Sequence, residues 1–435
     1  MNSESTSVRT AEPLPVADGD PDHVDAPGLR TFVVALFFIF GGTTSLNDVV
    51  IPKLKALFTL SYAEAMLVQS AFFAAYLLVS LPAAAIVKRL GYMRTAVVGL
   101  LTMTAGCLLF IPASAQALFG AFLSALFVLA AGITIVQVVA NPLISMLGPA
   151  RTAHSRLTFA QAFNSLGTTI FPYVGSALML STLNGDSVAA LSGAALAAFR
   201  AREAQVIVAT YVGLAAILAI LALLVWRQRH RLVETPPADE PVLRAFGLLS
   251  RPRFAFGALS IFLYVGAEVA IGSIIVNFLM QPDVLALTPL AAGEHVPYYW
   301  GGAMIGRFVG AYFLRIFSPG KILAFAASAV IVLLAAASTH TGAVSAWALL
   351  AIGLFNSIMF PTIFTLASEG LGARRHEGSG IICVAIVGGA IVPLILGSVA
   401  DLVGLKAALA VPALCYAAIL GFGIYARRPW HAQRA

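Results

Sequence analysis

The sequence predicts an all-α membrane protein of twelve transmembrane helices arranged in two six-helix halves. Three observations lead there: a composition too apolar for water, apolar stretches of bilayer length, and polar and proline landmarks that recur between the two parts of the chain. Of the 435 residues, 60% are hydrophobic and 10% are charged, and the mean hydropathy is +0.93, whereas a soluble globular chain carries about 25% charged residues. Hydrocarbon offers no partner to a backbone N–H or C=O, so only helices and closed barrels can span it. Apolar stretches of about 20 residues fit a helix; a barrel strand would alternate over about ten.

The first 28 residues carry Glu4, Glu12, Asp18, Asp20, Asp22 and Asp25 among prolines. They lack the basic region and cleavage site of a signal peptide, and 1–28 is expected to be a disordered cytoplasmic tail. Apolar spans follow at about 30–57, 62–87, 93–112, 117–147, 157–182 and 204–226, forming an N-terminal half over 29–226. Six more lie at about 254–280, 298–317, 321–339, 344–370, 378–400 and 405–426, forming a C-terminal half over 254–426. The stretch 227–253 is polar and basic, with Pro236, Pro237 and Pro241 interrupting any helix, and reads as a cytoplasmic linker. Residues 427–435 form a short cytoplasmic tail.

The formal net charge of +7 does not indicate nucleic acid, because the basic residues sit in short clusters between spans. With the N-terminus inside, twenty of the 26 Lys and Arg residues fall on the inner side. Lys53, Lys55, Arg200, Arg202 and Lys406 fall outside, and Arg307 lies within a span. That partition places both termini in the cytoplasm. Cys107, Cys383 and Cys415 lie in apolar spans without the spacing of a zinc site or a disulfide framework, and read as small packing residues. No metal or cofactor motif is present. The lack of an H-E-x-x-H, a G-x-S-x-G or a phosphate-binding loop speaks against an enzyme, and the lack of an appended soluble domain against a receptor.

Asn141-Pro142-Leu143 followed by Phe171-Pro172 is mirrored about 220 residues later by Phe360-Pro361 followed by Val392-Pro393. Asp48 and Glu268 are spaced alike, so these two acids are expected in corresponding places. A same-orientation six-helix repeat is the plan of the major facilitator architecture, whose substrate site lies between the halves near the midplane.

An ionisable residue inside a membrane costs roughly 2.5–3.5 kcal/mol on insertion scales, so each one needs a partner or a task. Asp48 closes the run Gly41 to Asp48, shares a helix face with Thr44 and Ser45, and precedes Pro52, which loosens the helix and frees carbonyls. It is read as functional in preference to an acid facing water near Lys53 and Lys55. Gln137 and Asn141 are four residues apart, and Gln161 and Asn164 three, so each pair shares a face. Amides both donate and accept, which suits a polyhydroxylated ligand; the competing reading is interhelical hydrogen bonding, worth about 0.6 kcal/mol per contact. In the second half Glu268, Asn277 and Asn356 extend the set. Glu268 is either a second titrating site or the partner of Arg307. Arg307, set among Gly302, Gly306 and Gly310 at a spacing that lets a neighbouring helix approach, is read as a structural or gating ion-pair member.

These residues fall in longer strings: Leu46-Asn47-Asp48-Val49-Val50-Ile51-Pro52, Ala140-Asn141-Pro142, Gln161 to Gly167, Tyr264 to Glu268, Trp300 to Gly310, Gly353 to Thr362, and Ser379 to Pro393. Together, from about residue 30 to 426, they resemble the fucose:proton symporter family of the major facilitator superfamily, especially its glucose/galactose transporter branch. The resemblance implies a bacterial inner-membrane carrier that imports a monosaccharide with a proton by alternating access. It implies Asp48 as a protonation site. The reading of the residues themselves adds Glu268 as its competitor, and Asn47, Gln137, Asn141, Gln161, Asn164, Glu268, Asn277 and Asn356 as candidate sugar ligands. The fucose permeases carry an acid where this chain has Gln137. An amide cannot titrate, so a two-carboxylate relay is absent, and the Gln resembles the glucose/galactose branch. Sodium coupling and an uncoupled facilitator stand as the alternatives.

The charge partition is testable directly. A cysteine introduced at Gly185 should react with an impermeant thiol reagent only from the periplasmic side, and one in 227–253 only from the cytoplasmic side; labelling of Gly185→Cys from the cytoplasm would reverse the topology.

Overall fold

The computed structural model describes residues 27–58, 62–116, 118–179, 193–230, 232 and 242–427. Most of the expected tail, most of the linker and the C-terminal tail lie outside the described residues. In the first half the helices are α1 (Pro27–Phe58), α2 (Tyr62–Leu90), α3 (Tyr92–Leu108), α4 (Phe110–Gln116), α5 (Phe119–Met146), α6 (Ala153–Met179) and α7 (Gly193–Arg227). In the second they are α8 (Pro252–Leu279), α9 (Pro289–Gly293), α10 (Val296–Ile316), α11 (Pro319–Thr339), α12 (Gly342–Asn356), α13 (Met359–Ser368), α14 (Arg375–Ala385), α15 (Gly388–Val403), α16 (Leu405–Ala408) and α17 (Ala410–Tyr425). No strand is found among the described residues.

Ten segments among these residues are long and apolar enough to cross a membrane. Two further helices of similar length, α6 with 27 residues and α10 with 21, do not pass that test of composition; they carry Gln161, Asn164 and Arg307. Four expected spans are each divided in two. The breaks at Leu109, at Ser357 and Ile358, and at Leu409 fall three or four residues before Pro112, Pro361 and Pro412; the break at Ile386 and Val387 lies six or seven residues before Pro393. For the first three the cause is the missing N–H and the clash of the proline ring with the preceding turn. A 3₁₀ segment, Val242–Ser250, follows Pro241 at the end of the linker; it buries Ala245 and Leu248 and exposes Phe246 and Leu249.

Within each half, glycines bring the first helix against a partner at backbone distance. A Cβ on Gly167 of α6 would lie 2.1 Å from the Phe38 carbonyl oxygen of α1, and one on Gly388 at the start of α15 would lie 2.0 Å from the Phe262 carbonyl oxygen of α8. Gly42 and Gly266 complete the two contacts, being the residues four after Phe38 and Phe262. This contact sets the register of the repeat. Matching Phe38 to Phe262 and Gly42 to Gly266 puts Thr44 opposite Glu268 and Asp48 opposite Gly272. The expected correspondence of Asp48 with Glu268 is therefore corrected by one helical turn, because it was taken from the prolines of later helices, whose spacing differs slightly.

The halves meet along two seams. On one, α2 packs on α14, with Gly380 against Ala84 and the Ser80 carbonyl, and on the start of α15, with Gly389 against Phe73. On the other, α6 packs on α10: Ser155 Oγ donates to the Ala311 carbonyl at 2.6 Å, Phe159 and Phe163 meet Phe308 edge-on, and Thr169 meets Met304 at 3.9 Å. The described cross-half contacts run from the end of the bundle that bears Arg151 and Arg375 to its middle and stop there. At the opposite end of the second half, Lys406 Nζ reaches Asp283 Oδ2 at 2.5 Å and the His340 carbonyl at 2.8 Å, tying three loops. The ammonium holds the exposed Asp283 carboxyl below its usual range.

Gly167→Val should remove the α1–α6 backbone contact. No rotamer change relieves a clash with a carbonyl oxygen, so a loss of about 3 kcal/mol is expected, read as a large fall in melting temperature in detergent. Gly213→Ala, where a Cβ meets nothing within 4 Å, should melt as the wild type; equal melting of both variants would refute the contact.

Candidate functional site

Midway along the bundle the two halves present matched amides. In α5, Gln137 Nε2 donates to the Tyr76 hydroxyl of α2 at 2.8 Å. In α12, Asn356 Nδ2 donates to the Tyr299 hydroxyl of α10 at the same distance. Both amides precede their proline, Pro142 or Pro361, by five residues, so the repeat has copied a hydrogen bond as well as a fold.

The two copies differ in what is left over. Asn356 is fully buried, and its Oδ1 accepts the Tyr416 hydroxyl at 2.7 Å. Tyr264 offers one hydroxyl proton to two acceptors, Glu268 Oε1 at 2.7 Å and the Asn356 carbonyl at 3.0 Å. This second-half cluster is largely closed on itself. Gln137 is half-buried, and among the described residues its Oε1 has no hydrogen-bond partner. Asn141 is fully buried; its Oδ1 accepts from Gln161 Nε2 at a long 3.4 Å, and its Nδ2 is unpaired. A buried unpaired donor costs about 1–3 kcal/mol. Unused hydrogen-bonding capacity therefore collects in the first half, around α5 and α6.

Gln161 and Asn141 are thus brought together. Asn164 lies one turn along α6 from Gln161, gives Nδ2 to the Phe37 carbonyl of α1 at 3.2 Å, and occupies the space that a Cβ on Gly41 would need. Asn277 is exposed, nine residues beyond Glu268 on α8. That is about 13 Å along the axis and on the opposite face, so the structure does not join it to the cluster. Asn47 and Asp48 lie on the backbone of α1, and their side chains are outside the described residues. Thr43, Thr44 and Ser45 give their hydroxyls to carbonyls of their own helix.

Among the described residues, Arg307 is held without a carboxylate. Its Nε donates to the Ser357 carbonyl at 3.2 Å, and its Nη1 to the Gln161 carbonyl at 3.3 Å and to Ser165 Oγ across the seam. Glu268 and Arg307 form no ion pair within 4.0 Å among the described residues. Gly306 and Gly310 bring α10 against the break between α12 and α13, where a Cβ would meet the Leu354 carbonyl and Ile358.

The acceptor that Arg307 finds has a covalent origin. Pro361 has no N–H, so the carbonyl four residues earlier, Ser357, lacks its helical donor. In the first half Pro142 leaves Val138 in the same state, and Ser379 Oγ of α14 donates to that carbonyl across the other seam at 2.8 Å. The seal between the halves thus uses carbonyls released by the paired prolines. Sequence reasoning singled out the prolines and the amides and missed their partners Tyr76, Tyr299, Tyr416, Ser165 and Ser379. Only Tyr76 and Tyr299 leave a trace, a recurrence at close to the repeat spacing.

A helical bundle of two repeated halves, sealed at one end and with hydrogen-bonding groups gathered at mid-height between them, is the build of a secondary transporter. The chain belongs to the Major Facilitator Superfamily, whose family model matches residues 33–393. It is 47% identical over 97% of its length to a glucose/galactose transporter of Brucella abortus biovar 1 (strain 9-941), covering 98% of that protein. It is 32% identical to the L-fucose-proton symporter of Escherichia coli (strain K12), over 92% of this chain and 94% of that one. Its fold is similar to the crystal structure of the Major Facilitator Superfamily transporter FucP in the outward conformation, with a TM-score of 0.84 at 31% identity, over 92% of this chain and 99% of that one.

The proline assignment can be tested by a double-mutant cycle. Ser379→Ala should destabilise the protein by about 1–3 kcal/mol, because it orphans the Val138 carbonyl. In a Pro142→Ala background the restored N–H can take that carbonyl, so Ser379→Ala should cost less, with a coupling of about 1 kcal/mol. Additive losses in thermal stability would show that Pro142 does not create the acceptor.

Proposed function

We propose that this protein imports a glucose- or galactose-like hexose together with a proton across a bacterial inner membrane, by alternating access between two six-helix halves. In this reading α6 and α10 join the ten apolar segments as spans, giving twelve. The halves extend over 29–226 and 254–426, joined by the linker 227–253, and both termini face the cytoplasm. The sealed end is then cytoplasmic, because it carries the basic loops, and the molecule is outward-facing. It is a carrier and not an enzyme.

The observation that carries the reading is the unspent hydrogen-bonding capacity of Gln137, Asn141 and Gln161 at mid-height, in a chain 47% identical to a glucose/galactose transporter. A hexose hydroxyl both donates and accepts, and it can meet an amide oxygen and an amide N–H at once. Asn164 extends that surface along α6, and Glu268 and Asn356 border it from the second half; Asn47 and Asn277 stand as candidate ligands from the sequence alone. Arg307 is a gating residue that joins the broken tenth span to α6. Asp48 is the main proton carrier. A charge inside a membrane span is costly, so a protonated, sugar-loaded carrier reorients more easily than a charged one. Glu268 competes for this role, although the repeat register aligns it with Thr44. The relative that names its coupling ion is proton-linked, which favours H⁺ over Na⁺.

Proteoliposomes with imposed pH and sodium gradients test the reading with labelled glucose, galactose, mannose and fucose. Gln161→Ala and Asn164→Ala should weaken sugar binding by about 0.5–1.5 kcal/mol, or more where a buried partner is orphaned. Asp48→Asn mimics the protonated acid and should exchange sugar but not accumulate it. Normal accumulation by Asp48→Asn with loss in Glu268→Gln would move coupling to the second half; indifference of both variants to every cation gradient would make the protein a facilitator.

A further inference from the structure

The sealed end contains a histidine that transport of sugar does not explain. His154, at the start of α6, is 7% exposed and lies across the seam from α13. Its Nδ1 is 2.5 Å from Thr365 Oγ1, and its Nε2 is 3.4 Å from Glu369 Oε1. The other carboxylate oxygen of Glu369 accepts from Arg253 Nη2 of α8, and Arg253 Nε holds the Leu366 carbonyl at 3.0 Å. His154 of the first half thus meets Thr365 and Glu369 of the second, and Arg253 backs Glu369.

The two ring nitrogens have different neighbours. Thr365 Oγ1 lies 2.7 Å from the Pro361 carbonyl and 3.1 Å from the Thr362 carbonyl, so its hydroxyl can back-bond to its own helix while its oxygen accepts from Nδ1, or it can donate to the ring instead. Nε2 lies at ion-pair distance from Glu369, whose carboxylate, paired with Arg253, can only accept. A ring with a hydrogen on each nitrogen satisfies both neighbours at once.

We propose that His154 is a proton-binding site of the conformational cycle, separate from the sugar site: a proton on its imidazole locks the sealed end through Glu369, and its loss releases the lock. The charged groups around it agree with this assignment. Glu369 faces it directly, with Arg253 on the carboxylate's far side. Arg156 is turned away, bonded to the carbonyls of Ile144, Ser145, Gly148 and Pro149, with Arg30 beside Gly148. Arg151 and Arg315 are exposed. The sign follows from linkage. With the lock made by a bound proton, the sealed form holds one more proton than the opened form, so sealing is favoured at low pH and weakened at high pH.

The test reads conformation and not uptake, so its failure is distinct from a failure of sugar transport. Spin labels on Ala150→Cys and Phe317→Cys, both exposed near the sealed end of opposite halves, report the gap by pulsed electron resonance in lipid nanodiscs. An Asp48→Asn, Glu268→Gln background removes those two titrations. The short-distance population should fall at least about fivefold between about pH 5 and pH 9 with a one-proton profile, and His154→Gln or Glu369→Gln should flatten it. A wild-type profile in His154→Gln, or no pH dependence with His154 present, would overturn the proposal. Nitrogen-15 resonances of the His154 ring in the otherwise unmutated protein give a second reading. Two protonated nitrogens in the sealed form are expected, and a single protonated nitrogen there refutes the lock whatever the variants do.

Discussion

A proline inside a membrane helix leaves one carbonyl without a donor, and hydrocarbon supplies none. Pro142 and Pro361 do this at matching points of the repeat, and in both cases the missing donor arrives from a side chain: Ser379 across one seam, and Arg307 at the other. Arg307 then continues to the Gln161 carbonyl and Ser165 in the opposite half. Local backbone chemistry thus becomes contact between halves. An intact helix would present neither acceptor, and the seams would keep only their apolar packing, which lipid matches almost as well.

The glycine contacts supply the rigid counterpart. Gly167 on Phe38 and Gly388 on Phe262 fix, inside each half, the geometry on which the movable seams ride. The two matched amide–tyrosine pairs differ in the hydrogen bonds that they leave open. Around Asn356 the amide and its neighbouring tyrosines consume one another's hydrogen bonds, making a stiff post. Around Asn141 and Gln137 donors and acceptors remain open. A carrier needs one wall that holds its shape and one that adapts to a ligand, and the repeat has distributed those demands between its copies.

Much of this was legible in the sequence, because hydrophobic length and repeated prolines are dictated by the solvent. Helix α5 was expected over 117–147 and runs Phe119–Met146, and α11 was expected over 321–339 and runs Pro319–Thr339. The amide cluster was visible since polar side chains are conspicuous in apolar spans. What stayed hidden were residues with two meanings. Nothing in the spacing of Tyr299 and Tyr416 places their hydroxyls on Asn356. Ser379 stands in a longer string with nothing to mark it as the donor to the Val138 carbonyl. His154 sits between Arg151 and Arg156, where a basic cluster is read for topology, and only the fold brings Glu369 to it. Spacing also misled at Glu268, where the offset of one helix was applied to another that had slipped by a turn.

The polarity of α6 and α10 has a consequence for how the chain is made. Emerging from the ribosome into a translocation channel, an apolar segment partitions into lipid unaided; these two are poorly suited to do so, and each must wait for a protein surface to receive it. For α6 that surface is α1, synthesised more than a hundred residues earlier and already carrying Gly41 and Gly42 to dock it. For α10 there are two such surfaces: α6, already made, which takes Arg307 through the Gln161 carbonyl and Ser165, and α12, not yet translated, whose Gly353 closes on the Tyr299 carbonyl. The first half can complete itself in order of synthesis, whereas the arginine-bearing helix of the second has to be received by the first half before its own neighbour arrives.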